Sequence, residues 1–75
     1  MKTFRVMIPT VQDAKDFVNS MSKVAGVVDV VHDSYCIDGK SILGILSLDL
    51  SKELEVQCYE DEANTVHDLL SKWEV

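Results

Sequence analysis

The chain has 75 residues, enough for one domain spanning residues 1–75 and too few for a second core. Apolar residues are 47% of it and aromatics 7%, so the core is aliphatic and a large buried catalytic cavity would lack support. Thirteen acidic against seven basic residues give a formal charge of −6, which disfavours nucleic acid and anionic membranes and suits a protein partner with basic character.

Phe4, Val6 and Ile8 alternate with Thr3, Arg5 and Met7, the period-2 pattern of a half-buried strand that Pro9 stops. Thr10 is placed as the N-cap of a first helix, with Asp13 three residues on. Val11, Ala14, Phe17, Val18, Met21 and Ala25 recur at three- and four-residue steps along one face of that helix, and Gly26 is placed to end it as a C′ glycine. Val27 to His32 is rich in β-branched residues and predicts a second strand. Asp33-Ser34 then reads as a tight turn into a short third strand at Tyr35-Cys36-Ile37.

Asp38-Gly39 breaks that strand, and Ser41 can cap a short second helix from about Ile42 to Leu48. Leu54, Val56 and Cys58 alternate with polar neighbours, giving a fourth strand with one wet face. Asp61 and Glu62 suit the positive end of a last helix, whose apolar stripe is Ala63, Val66, Leu69, Leu70 and Trp73. The order is β-α-β-β-α-β-α. It predicts an α+β open-faced sandwich, a four-stranded antiparallel sheet with three helices on one face.

No apolar run approaches the roughly 20 residues that span a bilayer, and the stretch from Met1 to Arg5 has no signal-peptide core, so a cytoplasmic protein is expected. Cys36 and Cys58 are then expected as thiols on opposite faces of the sheet. No cofactor is implied, and no metal site, because two cysteines fall short of one and Asp29, Asp33 and Asp38 form no calcium loop. No nucleophile–base–orienter set can be assembled, so an enzyme is not expected.

The segment Gly39-Lys40-Ser41-Ile42-Leu43-Gly44-Ile45-Leu46-Ser47-Leu48 resembles the regulatory-serine segment of HPr, the histidine-containing phosphocarrier protein of the bacterial sugar phosphotransferase system. The resemblance covers essentially the whole chain and is closest after Gly26. In HPr the first helix opens on a His-Ala-Arg-Pro motif whose histidine carries phosphate and whose arginine steadies it. Laid on that helix through Ala14 and Phe17-Val18, this chain has Thr10 at the histidine position, Gln12 at the arginine and Asp13 at the proline. No histidine precedes His32, and a threonine ester is far more inert than a phosphoramidate. The resemblance therefore implies a divergent HPr-like protein without the active-site histidine.

Ser41 has two readings that can coexist: an N-cap worth about 1 kcal/mol, and, by the resemblance, a site of phosphorylation by a regulatory kinase. Lys40 beside it could balance an anion. A two-turn helix cannot bury Ile42, Leu43, Ile45, Leu46 and Leu48 together, so part of its apolar surface is expected to be exposed. By the resemblance, Ile42, Leu43 and Leu46, with Lys40, are the residues expected to dock a partner. By the resemblance that partner is a phosphotransferase-system enzyme, a kinase or a regulator. The alternative is phosphoryl transfer through an unconventional acceptor, His32 or His67.

Overall fold

The computed structural model describes residues 1–75 and contains β1 (Lys2–Val6), α1 (Val11–Met21), β2 (Val28–His32), β3 (Tyr35–Asp38), α2 (Ile42–Leu46), β4 (Leu54–Cys58) and α3 (Ala63–Leu69), with a 3₁₀ turn at Glu60–Glu62 leading into α3. The four strands form one sheet in the order β1-β4-β2-β3, antiparallel throughout. The three helices lie on one face, as the β-α-β-β-α-β-α pattern predicts. β1, β2 and β4 keep their period-2 alternation: Val6, Val28, Val30, Leu54, Val56 and Cys58 turn to the helices and are buried, while in the edge strand β3 only Ile37 is partly covered. Thr3, Arg5, Glu53 and Glu55 face water on the other side.

Ala14, Phe17 and Met21 from α1, Ile45 from α2 and Val66 from α3 close the core from above. Phe17 meets the Trp73 ring edge-on, with centroids 5.8 Å apart, and this pair joins α1 to the end of the chain. Burying a side chain such as Phe17 contributes about 1.5–3 kcal/mol, so a few such residues decide the stability of a domain this small.

Several boundaries differ from the sequence pattern, each for a local reason. β1 pairs only to Val6, opposite Leu54, because β4 begins there; Ile8 is buried beyond the ladder. α1 ends at Met21 rather than Gly26, where Ser22 turns back and both its N–H and its hydroxyl donate to the Val18 carbonyl, at 2.9 and 2.8 Å. The next turn tucks Val24 into the core, while Val11 and Ala25, expected on the buried stripe, stand exposed. Gly26 has no positive φ. Its missing Cβ instead makes room for the Glu62 carboxylate and the edge of the Tyr59 ring.

The positive φ in the chain belongs to Asp33, at 53°, in the two-residue turn that joins His32 to Tyr35; aspartate tolerates that region better than most residues. α2 stops at Leu46, two residues short of Leu48, where the Ser47 hydroxyl donates to the Gly44 carbonyl at 2.6 Å. α3 ends at Leu69, yet Leu70 and Trp73 continue its buried stripe through the turns that follow. The C-terminus then runs along the free edge of β1: Met7 N–H donates to Trp73 O at 2.9 Å and Val75 N–H to Arg5 O at 3.0 Å. That segment covers one edge of the sheet, and β3 forms the other.

Candidate functional site

Three regions carry the residues that the sequence singles out. The first is the N-terminus of α1. Thr10 has extended backbone angles and caps the helix, its Oγ1 accepting from Asp13 N–H at 3.0 Å. The same hydroxyl donates to the Asp13 carboxylate at 2.7 Å, so its proton and a lone pair are both committed. The other carboxylate oxygen of Asp13 accepts from the Trp73 indole N–H at 3.2 Å. The Thr10 hydroxyl, then the Trp73 indole, hold the Asp13 carboxyl below its usual range. Gln12 is drawn to Asp16, its amide donating at 3.1 Å, and Lys72 reaches Asp16 at 3.8 Å while lying 4.8 Å from the centre of the Trp73 ring. The Asp13 carboxylate thus sits against Thr10, and Asp16, one turn further along, engages Gln12 and Lys72.

The second region is α2. Ser41 caps it, accepting from Gly44 N–H at 3.2 Å. Gly44 is required by contact: a Cβ there would strike the Ile37 side chain, so α2 lies close against β3. That approach rotates Ile45 fully into the core and turns the opposite side of the helix outward, leaving Leu43 79% and Leu46 39% exposed. Ile42 and Leu48 are half-buried against the core edge. Leu43 and Leu46 therefore form an apolar ridge at the surface, with Ile42 at its base beside Val18 of α1.

Lys40 sits next to Ser41 but points elsewhere. Its ammonium donates to the carbonyls of Val24 at 2.7 Å and Gly26 at 2.8 Å, tying the α1–β2 loop to the start of α2, while its N–H donates to the Asp38 carboxylate at 2.9 Å. The position expected to balance an anion holds a backbone tie instead.

The third region holds the histidines. His32 borders a cleft of about 400 Å³ between the β2–β3 turn and the α2–β4 loop, with Tyr35, Leu48, Asp49 and Lys52 around it. Its Nε2 lies 3.5 Å from the Asp33 carboxylate. The Asp49 carboxyl nearby is held low by hydrogen bonds from the Ser51 hydroxyl and N–H, at 2.6 and 3.1 Å. His67 stacks on Phe4, centroids 5.8 Å apart, and its Nδ1 meets Glu74 at 2.8 Å. Each imidazole has a carboxylate at hand. The cysteines lie apart, Cys36 exposed on β3 and Cys58 buried on β4. No group of histidine, cysteine and carboxylate side chains is arranged to hold a metal ion.

The Trp73–Asp13 bond and the Lys40 tie had no trace in the sequence pattern. Each joins residues far apart in the chain, and neither a buried indole nor a lysine beside a serine announces its partner.

Among solved structures, the chain is similar to HPr-C-His from Thermoanaerobacter tengcongensis, at 25% identity over 96% of this chain and 93% of that one, with a TM-score of 0.76. It is also similar to the histidine-containing phosphocarrier protein of Mycoplasma, at 13% identity over 95% and 93% of the two chains, with a TM-score of 0.73. No family model matches the sequence, and no curated protein does. The fold is that of the HPr phosphocarrier proteins. No helix is long and apolar enough to cross a membrane.

Proposed function

We propose that this chain is a cytoplasmic, bacterial HPr-like protein that does not carry phosphate and acts as a protein-interaction or regulatory module. It docks a phosphotransferase-system enzyme, kinase or regulator through the helix after Ser41 and so bears on sugar uptake by regulation rather than catalysis. The observation that carries the reading is the closed hydrogen-bond set at Thr10. An acceptor of phosphate needs a free nucleophilic atom and nearby positive charge. Thr10 Oγ1 already donates to Asp13 and accepts from its N–H, and the incoming charge would meet the Asp13 carboxylate.

Docking rests on Ile42, Leu43 and Leu46. An exposed apolar ridge on a helix otherwise anchored by Ile45 is the part of the surface best suited to fill a partner's groove. Lys40 serves this face by holding α2 in place through the Val24 and Gly26 carbonyls. Ser41 remains the candidate for regulatory phosphorylation. A phosphate on its Oγ would displace the Gly44 N–H bond and add charge beside the ridge, changing partner affinity.

Incubation with phosphoenolpyruvate and the first enzyme of the phosphotransferase system tests the reading. The protein is expected to gain no acid-labile mass, and Leu43→Asp to abolish binding to whichever system protein the wild type retains. Stoichiometric phosphohistidine at His32 or His67 would replace this reading with phosphoryl transfer.

A further inference from the structure

The uncovered face of the sheet, opposite the helices, carries a second surface. Val28 and Cys58 are paired and point into the core, so Val27 and Tyr59 beside them point outward; they are 48% and 49% exposed. Together with the backbone of Gly26 they floor a cleft of about 450 Å³. At its other end stand Asp29 and Asp38, directly opposed across β2 and β3. Like charges facing one another on neighbouring strands destabilise a sheet. No lysine, arginine or histidine forms an ion pair with either carboxylate. Lys40 borders the same cleft, but its ammonium is turned onto the Val24 and Gly26 carbonyls. The cleft therefore combines an aromatic ring, an aliphatic floor and two carboxylates without an ion-pair partner, of which Asp38 accepts from the Lys40 backbone N–H at 2.9 Å.

We propose that this cleft binds an extended basic segment of a partner protein, with an arginine between Asp29 and Asp38 and an adjacent apolar side chain on Val27. Guanidinium suits the site on two counts: its fork can meet two carboxylates, and its flat face can lie on the Tyr59 ring. A bare metal ion suits it less, because no third ligand joins the two aspartates. The charge of −6 draws such a segment in and repels nucleic acid. Neither Leu43 nor Leu46 lines this cleft, so binding here can be tested separately from docking through them.

The test is a two-dimensional NMR titration of the full chain with the peptide acetyl-Arg-Val-Arg-Val-amide at low salt, with the glutamate counterpart as control. Saturable shifts are expected at Val27, Asp29, Asp38 and Tyr59, fading as salt is raised. The pair of changes Asp29→Asn and Asp38→Asn should weaken binding about tenfold and should raise stability by removing the repulsion. Tyr59→Ser should weaken it without touching the carboxylates, and Leu43→Asp should leave it unchanged. Shifts confined to α2 or to the His32 cleft, no saturable binding, or undiminished binding by the double asparagine variant would each overturn the proposal.

Discussion

Replacing Leu43, Leu46 and Ile45 in turn separates a docking ridge from a core helix without knowledge of the partner. Leu43 is 79% exposed, so only about a fifth of it is covered. Full burial of a leucine is worth about 1.5–3 kcal/mol, and a fifth of that is about 0.3–0.6 kcal/mol, the expected cost of Leu43→Ala. Leu46 is 39% exposed, so Leu46→Ala should cost about 1–2 kcal/mol at most. Ile45 is fully buried and its alanine variant would cost about 2–5 kcal/mol, enough to unfold a domain this small, so Ile45→Val is the useful probe at about 0.5–1.5 kcal/mol. Urea denaturation reads each difference as a shift in midpoint at constant slope. In thermal melts about 1 kcal/mol corresponds to roughly 4–8 °C for a chain of this length. Leu43→Ala should therefore melt within a few degrees of wild type and Ile45→Val distinctly lower. A loss above about 2 kcal/mol at Leu43 would put that side chain in the core and remove the ridge.

The Asp13 and Asp49 carboxyls are both held low in the folded protein. Their contribution to stability is present above the unfolded value near 3.8 and lost as pH falls through the folded values. Thr10→Val removes the larger cause at Asp13, so its carboxyl should titrate closer to 3.8 by carbon-detected NMR; an unchanged titration would show the Thr10 bond to be immaterial. Burial, then Glu62, pushes the Cys58 thiol up, so iodoacetamide at pH 8 should add one label to the native protein, at Cys36, and a second only after unfolding. Two labels under native conditions would contradict the core placement of Cys58. Lys40→Met keeps the stem and removes the ammonium, leaving the Val24 and Gly26 carbonyls without that donor. It should cost about 1.5–3 kcal/mol in urea denaturation, in line with hydrogen bonds from charged groups, and a neutral result would mean that water replaces the tie.

The parts of the fold written in short-range pattern were legible from the residues. Val6, Val56 and Cys58 show their strands by alternation, Ala14 and Phe17 their helix by spacing, and Thr10 and Ser41 their caps by side-chain chemistry. That a short helix leaves part of its apolar circumference exposed followed from geometry, whereas the choice of Leu43 over Ile45 as the exposed residue followed from the resemblance to HPr. What escaped was non-local or competitive. Gly26 looked like a helix stop, but Ser22 ended α1 first by bonding back to Val18, and the glycine served the approach of Glu62 instead. Lys40 read as a partner for an anion because nothing in its neighbours reveals two carbonyls fourteen and sixteen residues earlier. The meeting of Asp29 and Asp38 at the cleft beside Tyr59 is set by the register of β2 and β3, which residue pattern alone does not fix.

The end of the chain bears most directly on the Thr10 region. Residues 73–75 bond to β1 through Met7 N–H and Arg5 O, and the Trp73 indole reaches from there to Asp13. The first turn of α1 is thereby fixed from two sides, by its own cap and by a segment 60 residues later. A side chain that accepts and releases a charged group must leave its hydrogen-bond partners and return to them in each cycle, and the surroundings must welcome the charge when it arrives. Here the proton of the Thr10 hydroxyl is spent on a carboxylate, Gln12 is turned to Asp16, and the Lys72 ammonium is divided between Asp16 and the Trp73 ring. Freeing Thr10 would strand the Asp13 carboxylate with one fewer donor just as negative charge approached it. The same bonds are well suited to holding a helix end still, and a fixed α1 gives α2, which packs against it, a rigid base from which to present Leu43 and Leu46.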